Sequence, residues 1–315
     1  MRWQLLGTIA TVVAVGYAAV TLVSNNLSAA QTPRRWAAGE FPNVELTTQD
    51  GQRVRFYDDL IKGKSVMIDL IYTDCKDECP LETARLAQVQ KLLGDRVGKD
   101  VFFYSISIDP THDTPEVLKE YADKFHVGPG WLFLTGNLND IHLVAQKLAL
   151  PYDLDATATD GHAPTVVVGD DATGQWTQRG AEDNPRFMAS SLRNFFGWPE
   201  DAPTASYADA KPIDISRGGY VFQTRCVGCH TIGQGDLVGP DLAGVTARRD
   251  PAWLDQYLYA PDDMLTNGDP IASALFAKYR RLRMPNLSLN EEDVQAVIAY
   301  LDQSRNANAG VPSPQ

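Results

Sequence analysis

Four cysteines stand in two tight pairs, Cys75 with Cys79 and Cys226 with Cys229. A disulfide framework spreads its cysteines along a chain, whereas two close pairs about 150 residues apart mark two separate chemical sites. Two such sites call for two folding units, and 315 residues is the length of about two domains. With 44% hydrophobic and 22% charged residues, each unit has enough apolar content for a core of its own. The net charge of −12, from 28 basic and 40 acidic residues, argues against a nucleic-acid partner, whose binder presents a basic face.

Leu5 to Val23 is an uncharged run of 19 residues, preceded by Arg2. As a helix it reaches about 28 Å, close to the hydrocarbon thickness of a bilayer. Ser28-Ala29-Ala30 offers a small-residue cleavage site, so residues 1–30 read as a membrane anchor or a signal. The length of the run favours an N-terminal transmembrane helix. Either reading exports the rest of the chain. The expected location is the inner (cytoplasmic) membrane, single-pass, with the domains facing the periplasm.

After a polar stem over 24–40, residues 41–198 alternate strand and helix patterns. Asp50-Gly51 is a turn signal before a strand through Val54 and Phe56. Ser65 to Tyr72 and Val101 to Ile108 are nearly continuous apolar runs, as buried parallel strands require. Between them, Pro80 to Leu93 reads as a helix. Thr114-Pro115 caps a helix reaching about Phe125, and Asn137 caps one reaching about Leu148. Strands over 165–168 and 175–178 flank a turn at Gly174, and Asn184-Pro185 opens a last helix. A βαβ half followed by a ββα half, with a cysteine pair just after the first buried strand, is the α/β thioredoxin-like arrangement. The Pro-, Ala- and Ser-containing stretch EDAPTASYADAKPI makes a linker over 199–213. A flexible linker of that length spans about 20 Å, enough for two small domains to touch. Residues 214–305 show short helical patterns and no strand, and 306–315 read as a disordered tail.

The i, i+4 spacing of Cys75 and Cys79 puts the second sulfur at a helix start, where the backbone N–H groups favour a thiolate. Two thiolates suit Cu(I), with an imidazole as a third ligand; the same pair also serves as a redox dithiol. His112, His126 and His142 lie on or beside expected helices and read as surface histidines. Asp109 and Asp113 are expected to cap the following helix and fix its loop.

Tyr72-Thr73-Asp74-Cys75-x-x-x-Cys79-Pro80 resembles the motif of the Sco/SenC copper proteins. So does Ser105-Ile106-Ser107-Ile108-Asp109-Pro110-x-x-Asp113-Thr114-Pro115, continuing to Leu118 and Tyr121. Leu134-Thr135-Gly136 matches that family's downstream turn. The resemblance covers about residues 41–198. It implies one copper ion held by Cys75, Cys79 and a distal histidine that maps onto His162. It also implies a client, the copper site of cytochrome oxidase subunit II or another exported copper protein. Asp160-Gly161-His162-Ala163-Pro164-Thr165 departs from the family pattern. Its Pro164-Thr165 resembles the cis-proline pair of thiol-disulfide oxidoreductases.

Cys226-Val227-Gly228-Cys229-His230 is a C-x-x-C-H motif, in which the cysteines form haem thioethers and the histidine ligates the iron. A zinc site would need further Cys or His ligands after residue 230, and the sequence has none. Met264 and Met284 are the methionines that follow, and Met284, ahead of a terminal helix over 291–302, is the expected second axial ligand. These features resemble a class I cytochrome c, an all-α domain. Gly218, Phe222 and Tyr300 then pack its first helix on its last, and the Pro240 carbonyl accepts the proximal histidine's N–H. Arg280, Arg281 and Arg283 offset haem propionates, dock a partner or form a solvated turn.

The expected function is a copper metallochaperone whose covalent haem c serves electron transfer to the copper/dithiol site. The alternative is a thiol-disulfide oxidoreductase, or a redox relay or sensor, using Cys75 and Cys79 with the haem as electron partner.

Overall fold

The computed structural model describes residues 34–35, 41–75, 78–150, 164–181, 183–199 and 216–308. The expected anchor, His162 and the linker from Glu200 to Ile213 lie outside them. No helix among the described residues is long and apolar enough to cross a membrane.

The first domain is built on an eight-stranded sheet: β1 (Arg34–Arg35), β2 (Glu45–Thr48), β3 (Arg53–Arg55), β4 (Ser65–Ile71), β5 (Phe102–Ser107), β6 (Trp131–Gly136), β7 (Thr165–Asp170) and β8 (Gln175–Gly180). Their order across the sheet is β1-β8-β7-β4-β5-β6-β2-β3. β4, β5 and β6 are parallel, while β7 runs antiparallel to β4 and β8 to β7. The crossovers are helices α1 (Glu78–Leu93) and α2 (Pro115–Lys124), followed by α3 (Leu138–Lys147) and α4 (Pro185–Phe195).

β4 explains the apolar runs. Successive side chains point to opposite faces, and both faces of this sheet are covered. Val66, Ile68 and Leu70 join Tyr104, Ile106 and the α3 residues Ile141 and Val144 on one face. Met67 and Ile71 join Leu86 and Val89 of α1, Leu118 of α2 and Leu192 of α4 on the other. The caps follow the sequence. Thr114 Oγ1 accepts from Val117 N, Asn137 Oδ1 from Asn139 N and Asn184 Oδ1 from Arg186 N.

Three local expectations are corrected. Phe56 opens a six-residue π-type helix, Phe56–Ile61, that buries Phe56 and Leu60, so strand β3 stops at Arg55. Leu134-Thr135-Gly136 ends strand β6, where Gly136 pairs with Leu46 of β2. Asp113 does not cap α2, because Thr114 holds that place.

The second domain is helical, with no strand among its described residues: α5 (Arg217–Val221), α6 (Val245–Arg248), α7 (Pro251–Tyr259), α8 (Pro261–Thr266), α9 (Pro270–Lys278) and α10 (Glu291–Asn308). α10 runs past Asp302 into the stretch expected to be a tail. α5 crosses α10 at Gly218, where a Cβ would lie 2.0 Å from Ala296 O, so only glycine fits. Beside that crossing, the Phe222 and Tyr300 rings sit 5.6 Å apart. Arg217 on α5 pairs with Asp293 and Glu292 at the start of α10.

Asp69, near the end of β4, is 2% exposed and accepts from Ser105 Oγ at 2.7 Å. Burial raises its pKa to about 7, against the pull of that hydrogen bond. An acid whose pKa is raised by folding favours the fold while it is protonated. That contribution is complete below the unfolded carboxyl pKa and is lost as pH rises through about 7. Asp69→Asn is isosteric and uncharged, so its urea midpoint should fall less between pH 4.5 and 8 than the parent's does. The difference reaches on the order of 4 kcal/mol. Parallel pH profiles would contradict this.

Candidate functional site

Cys75 follows β4 on a short loop, and Cys79 is the second residue of α1. The Cys79 N–H donates to Cys75 Sγ at 3.4 Å, so the helix start wraps directly around the first sulfur. Cys79 is fully buried and Cys75 nearly so, and the two are not joined in a disulfide. The expectation of a lowered thiol pKa at the helix start does not hold for Cys79. Burial pushes its pKa well up, the Cys75 sulfur adds to the rise, and Glu82, one turn further along α1, adds a smaller push. Desolvation outweighs the helix dipole here. A ligating soft cation must displace the Cys79 proton against that rise.

Asp113 anchors the loop that carries Cys75. Its carboxylate accepts from Thr73 N at 3.2 Å, Thr73 Oγ1 at 2.5 Å and Ser107 Oγ at 2.5 Å. It is 1% exposed, and burial raises its pKa. Asp109 instead pairs with the exposed His112, at 2.8 Å. Among the described residues no group of three His, Cys, Asp or Glu side chains gathers around a point. His162, the remaining candidate ligand, lies outside them. The chain joins β7 at Thr165, and Val166 pairs with Asp69, at the end of β4 that leads to Cys75.

In the second domain, Cys226, Cys229, His230 and Met284 line one cleft of about 1390 Å³, its open mouth included. Its walls are mostly apolar, with Leu254, Leu258, Phe276, Leu282 and Ile298 among them. Met264 is buried elsewhere and does not line it. His230 Nδ1–H donates to Pro240 O at 2.8 Å, which fixes the ring and leaves Nε2 for a metal. Burial lowers the His230 pKa and keeps the imidazole neutral, its ligating form. Asp241 pins the Pro240 loop by accepting from Gly233 N, Gly235 N and Ala243 N. Gly239 admits the ring, since a Cβ there would lie 2.6 Å from His230 Cε1. Two cysteines, an oriented imidazole and a thioether around an apolar cleft fit a covalent haem.

The arginines divide. Arg283 pairs with Asp262 at 2.5 Å, and Arg281 lies over the Phe276 ring. Arg280 donates to Asp123 O of the first domain at 3.1 Å. The sequence reading missed three residues of consequence. Pro80, next to Cys79, lines the haem-binding cleft, Glu82 is buried beside Cys79, and Arg85 reaches the second domain. The Cys79-x-x-Glu82 spacing could have flagged Glu82, because i and i+3 share a helix face. Nothing local could have flagged the other two.

A dithiol at a helix start on a thioredoxin-like sheet, followed by a helical domain holding a Cys-x-x-Cys-His turn over an apolar cleft, is the build of a thioredoxin-like protein fused to a c-type cytochrome. The SCO1/SenC profile matches residues 32–196, more than half of the chain, and the cytochrome c profile matches residues 215–305. The chain belongs to the SCO1/SenC family and carries a cytochrome c domain behind it. An SCO2-like protein of Rickettsia prowazekii is 33% identical over 132 residues, which cover 38% of this chain and 62% of the relative. An SCO2-like protein of Rickettsia conorii is 32% identical over 160 residues, 48% of this chain and 75% of the relative. The structure of Bradyrhizobium japonicum ScoI with copper bound is 25% identical, with a TM-score of 0.41, covering 51% of this chain and 99% of that one.

Asp113→Ala should cost about 1–3 kcal/mol, since it strands buried donors. It should also release the Thr73 loop, so that Cys75 is alkylated faster at a pH and temperature where both proteins remain folded. Urea unfolding and timed alkylation measure the two effects, and an unchanged alkylation rate would contradict the anchoring role.

Proposed function

We propose that this chain is a copper metallochaperone for the copper site of cytochrome oxidase subunit II, with a haem c domain that exchanges electrons with its copper/dithiol site. The observation that carries this reading is the close, buried pairing of Cys75 Sγ and the Cys79 amide at the start of α1. Two soft donors held within one helical turn suit Cu(I) as cargo. Cys75 and Cys79 hold it, with His162 as third ligand. Asp113 holds the Cys75 loop in place, and burial of both sulfurs keeps water from the bound ion. The family's association with cytochrome oxidase copper assembly supports the client. The uncharged run from Leu5 to Val23 supports an anchor in the cytoplasmic membrane, with both domains on the periplasmic side.

Cys226 and Cys229 would attach a haem and His230 and Met284 would hold its iron, which suits electron transfer rather than substrate binding. When bound, the haem supplies electrons one at a time. One electron suffices to convert an arriving Cu(II) to Cu(I), whereas a Cys75–Cys79 disulfide takes two electrons and two protons. The Pro240 carbonyl and Gly239 hold His230 in its ligating orientation, and the apolar walls exclude water. A second reading, thiol-disulfide exchange at Cys75 and Cys79, draws on the same closeness of the two sulfurs and on Pro164-Thr165 at the start of β7.

Metal analysis separates the two. The reduced protein should bind one copper ion per chain, and Cys75→Ser or Cys79→Ser should abolish binding. His162→Ala should weaken Cu(II) more than Cu(I). Unchanged copper stoichiometry in Cys75→Ser would overturn the metallochaperone reading. In the haem domain, Met284→Ala should abolish the sulfur–iron charge-transfer band and lower the reduction potential. Loss of the band in Met264→Ala but not in Met284→Ala would overturn the axial assignment.

A further inference from the structure

The first two turns of α1 are buried on every side. Cys79 through Leu86 are eight consecutive buried residues, and they include Glu82, Thr83 and Arg85. A helix lying on a sheet buries one stripe and shows a polar face to water. Here the sheet side takes Leu86 and Val89. The opposite side is covered by the haem domain. Leu81 packs among Val221, Phe222 and Cys226 in that domain's core. Arg85 donates to Thr224 O, and Gln88 Nε2 donates to Val227 O at 2.7 Å. Both acceptors belong to the turn that carries the Cys-x-x-Cys-His motif. Gly228, between its two cysteines, faces α1 here: a Cβ added to it would touch Ala84 Cβ at 3.4 Å. The Arg85 cation is near enough to Cys229 to pull that thiol's pKa down, against the larger effect of burial.

Pro80 completes the juxtaposition. It lines the cleft of the haem domain, and its chain neighbour Cys79 belongs to the dithiol. We propose that the start of α1 is a built-in dock for the haem-attachment turn and forms a common wall between the two sites, so that a soft cation bound at Cys75 and Cys79 is sensed at the haem. Arg85 and Gln88 are positioning residues of that dock. A cation that draws the two sulfurs together shifts the Cys79–Pro80 turn, and Pro80 carries the shift into the cleft. The coupling is reciprocal, because any effect of one site on the other's equilibrium is returned in equal measure. Only the identity of the cation rests on the copper reading. The dock stands on the contacts alone.

The test uses the full haem-loaded chain and Cu(I) as probe. Amide exchange is followed by mass spectrometry in peptides spanning 80–90 and 222–230, and the haem methyl resonances are followed by NMR during the titration. In the parent, one equivalent of Cu(I) should shift the haem methyl resonances. Arg85→Glu, made together with Gln88→Ala, should speed exchange at least tenfold in both segments. The variant should still bind one copper but lose the haem response. Gly228→Leu opens the same interface from the haem side without altering α1, and should do the same if the first variant fails to fold. A haem response that survives in the folded variants, or faster exchange confined to the mutated segment, overturns the proposal. Absence of copper binding in the parent would instead sink the copper reading, and the exchange data would still judge the dock.

Discussion

Cys79 through Leu86 form more than two turns of α1, and no side of those turns faces water. Burying Arg85 and Glu82 is costly unless polar partners meet them. The main chain of the haem turn supplies the carbonyl for Arg85, as the Val227 carbonyl does for the half-buried Gln88. That requirement ties the two domains together more specifically than a linker could. It also gives the helix three neighbours at once. Cys79 belongs to the core on one face of the sheet, Leu86 and Val89 to the core on the other, and Leu81 to the core of the haem domain.

The two sites are each built by one loop fixed from a distance. Asp113, forty residues on from Thr73, holds the Cys75 loop by the Thr73 amide and hydroxyl and is itself braced by Ser107 at the end of β5. Asp241 holds the Pro240 loop, whose carbonyl holds His230. In both, a carboxylate gathers backbone or hydroxyl donors, and the ligating residue inherits its position. Such charge-assisted bonds are stronger than neutral ones and suit a site that must keep its shape before its ligand arrives.

The sequence shows much of this and hides a definite part. β4 and β5 were legible because strands buried on both faces read as apolar runs. Thr114, Asn137 and Asn184 announced three helices through cap chemistry. The haem-attachment turn was legible because covalent attachment demands its spacing, and the roles of Gly218 and Pro240 followed from the resemblance to class I cytochromes c. β2 was not legible, because Glu45–Thr48 is short and half exposed and is defined by its partners β3 and β6. Asp113 looked like a helix cap because its contact with Thr73 spans the fold. The raised Cys79 pKa depends on burial by the whole domain, which outweighs the local dipole that the sequence displays. The roles of Arg85 and Arg280 were not legible, since each finds its acceptor only on the other domain.

The central claim is that the dithiol and the haem cleft work as one unit across the start of α1. Rapid mixing of the full chain, its haem reduced, with one equivalent of Cu(II) tests it most directly. The account predicts first-order haem oxidation with a rate constant independent of protein concentration, lost when Cys75 and Cys79 are both replaced by Ser. A rate constant that rises with protein concentration, or that survives the double replacement, would contradict it.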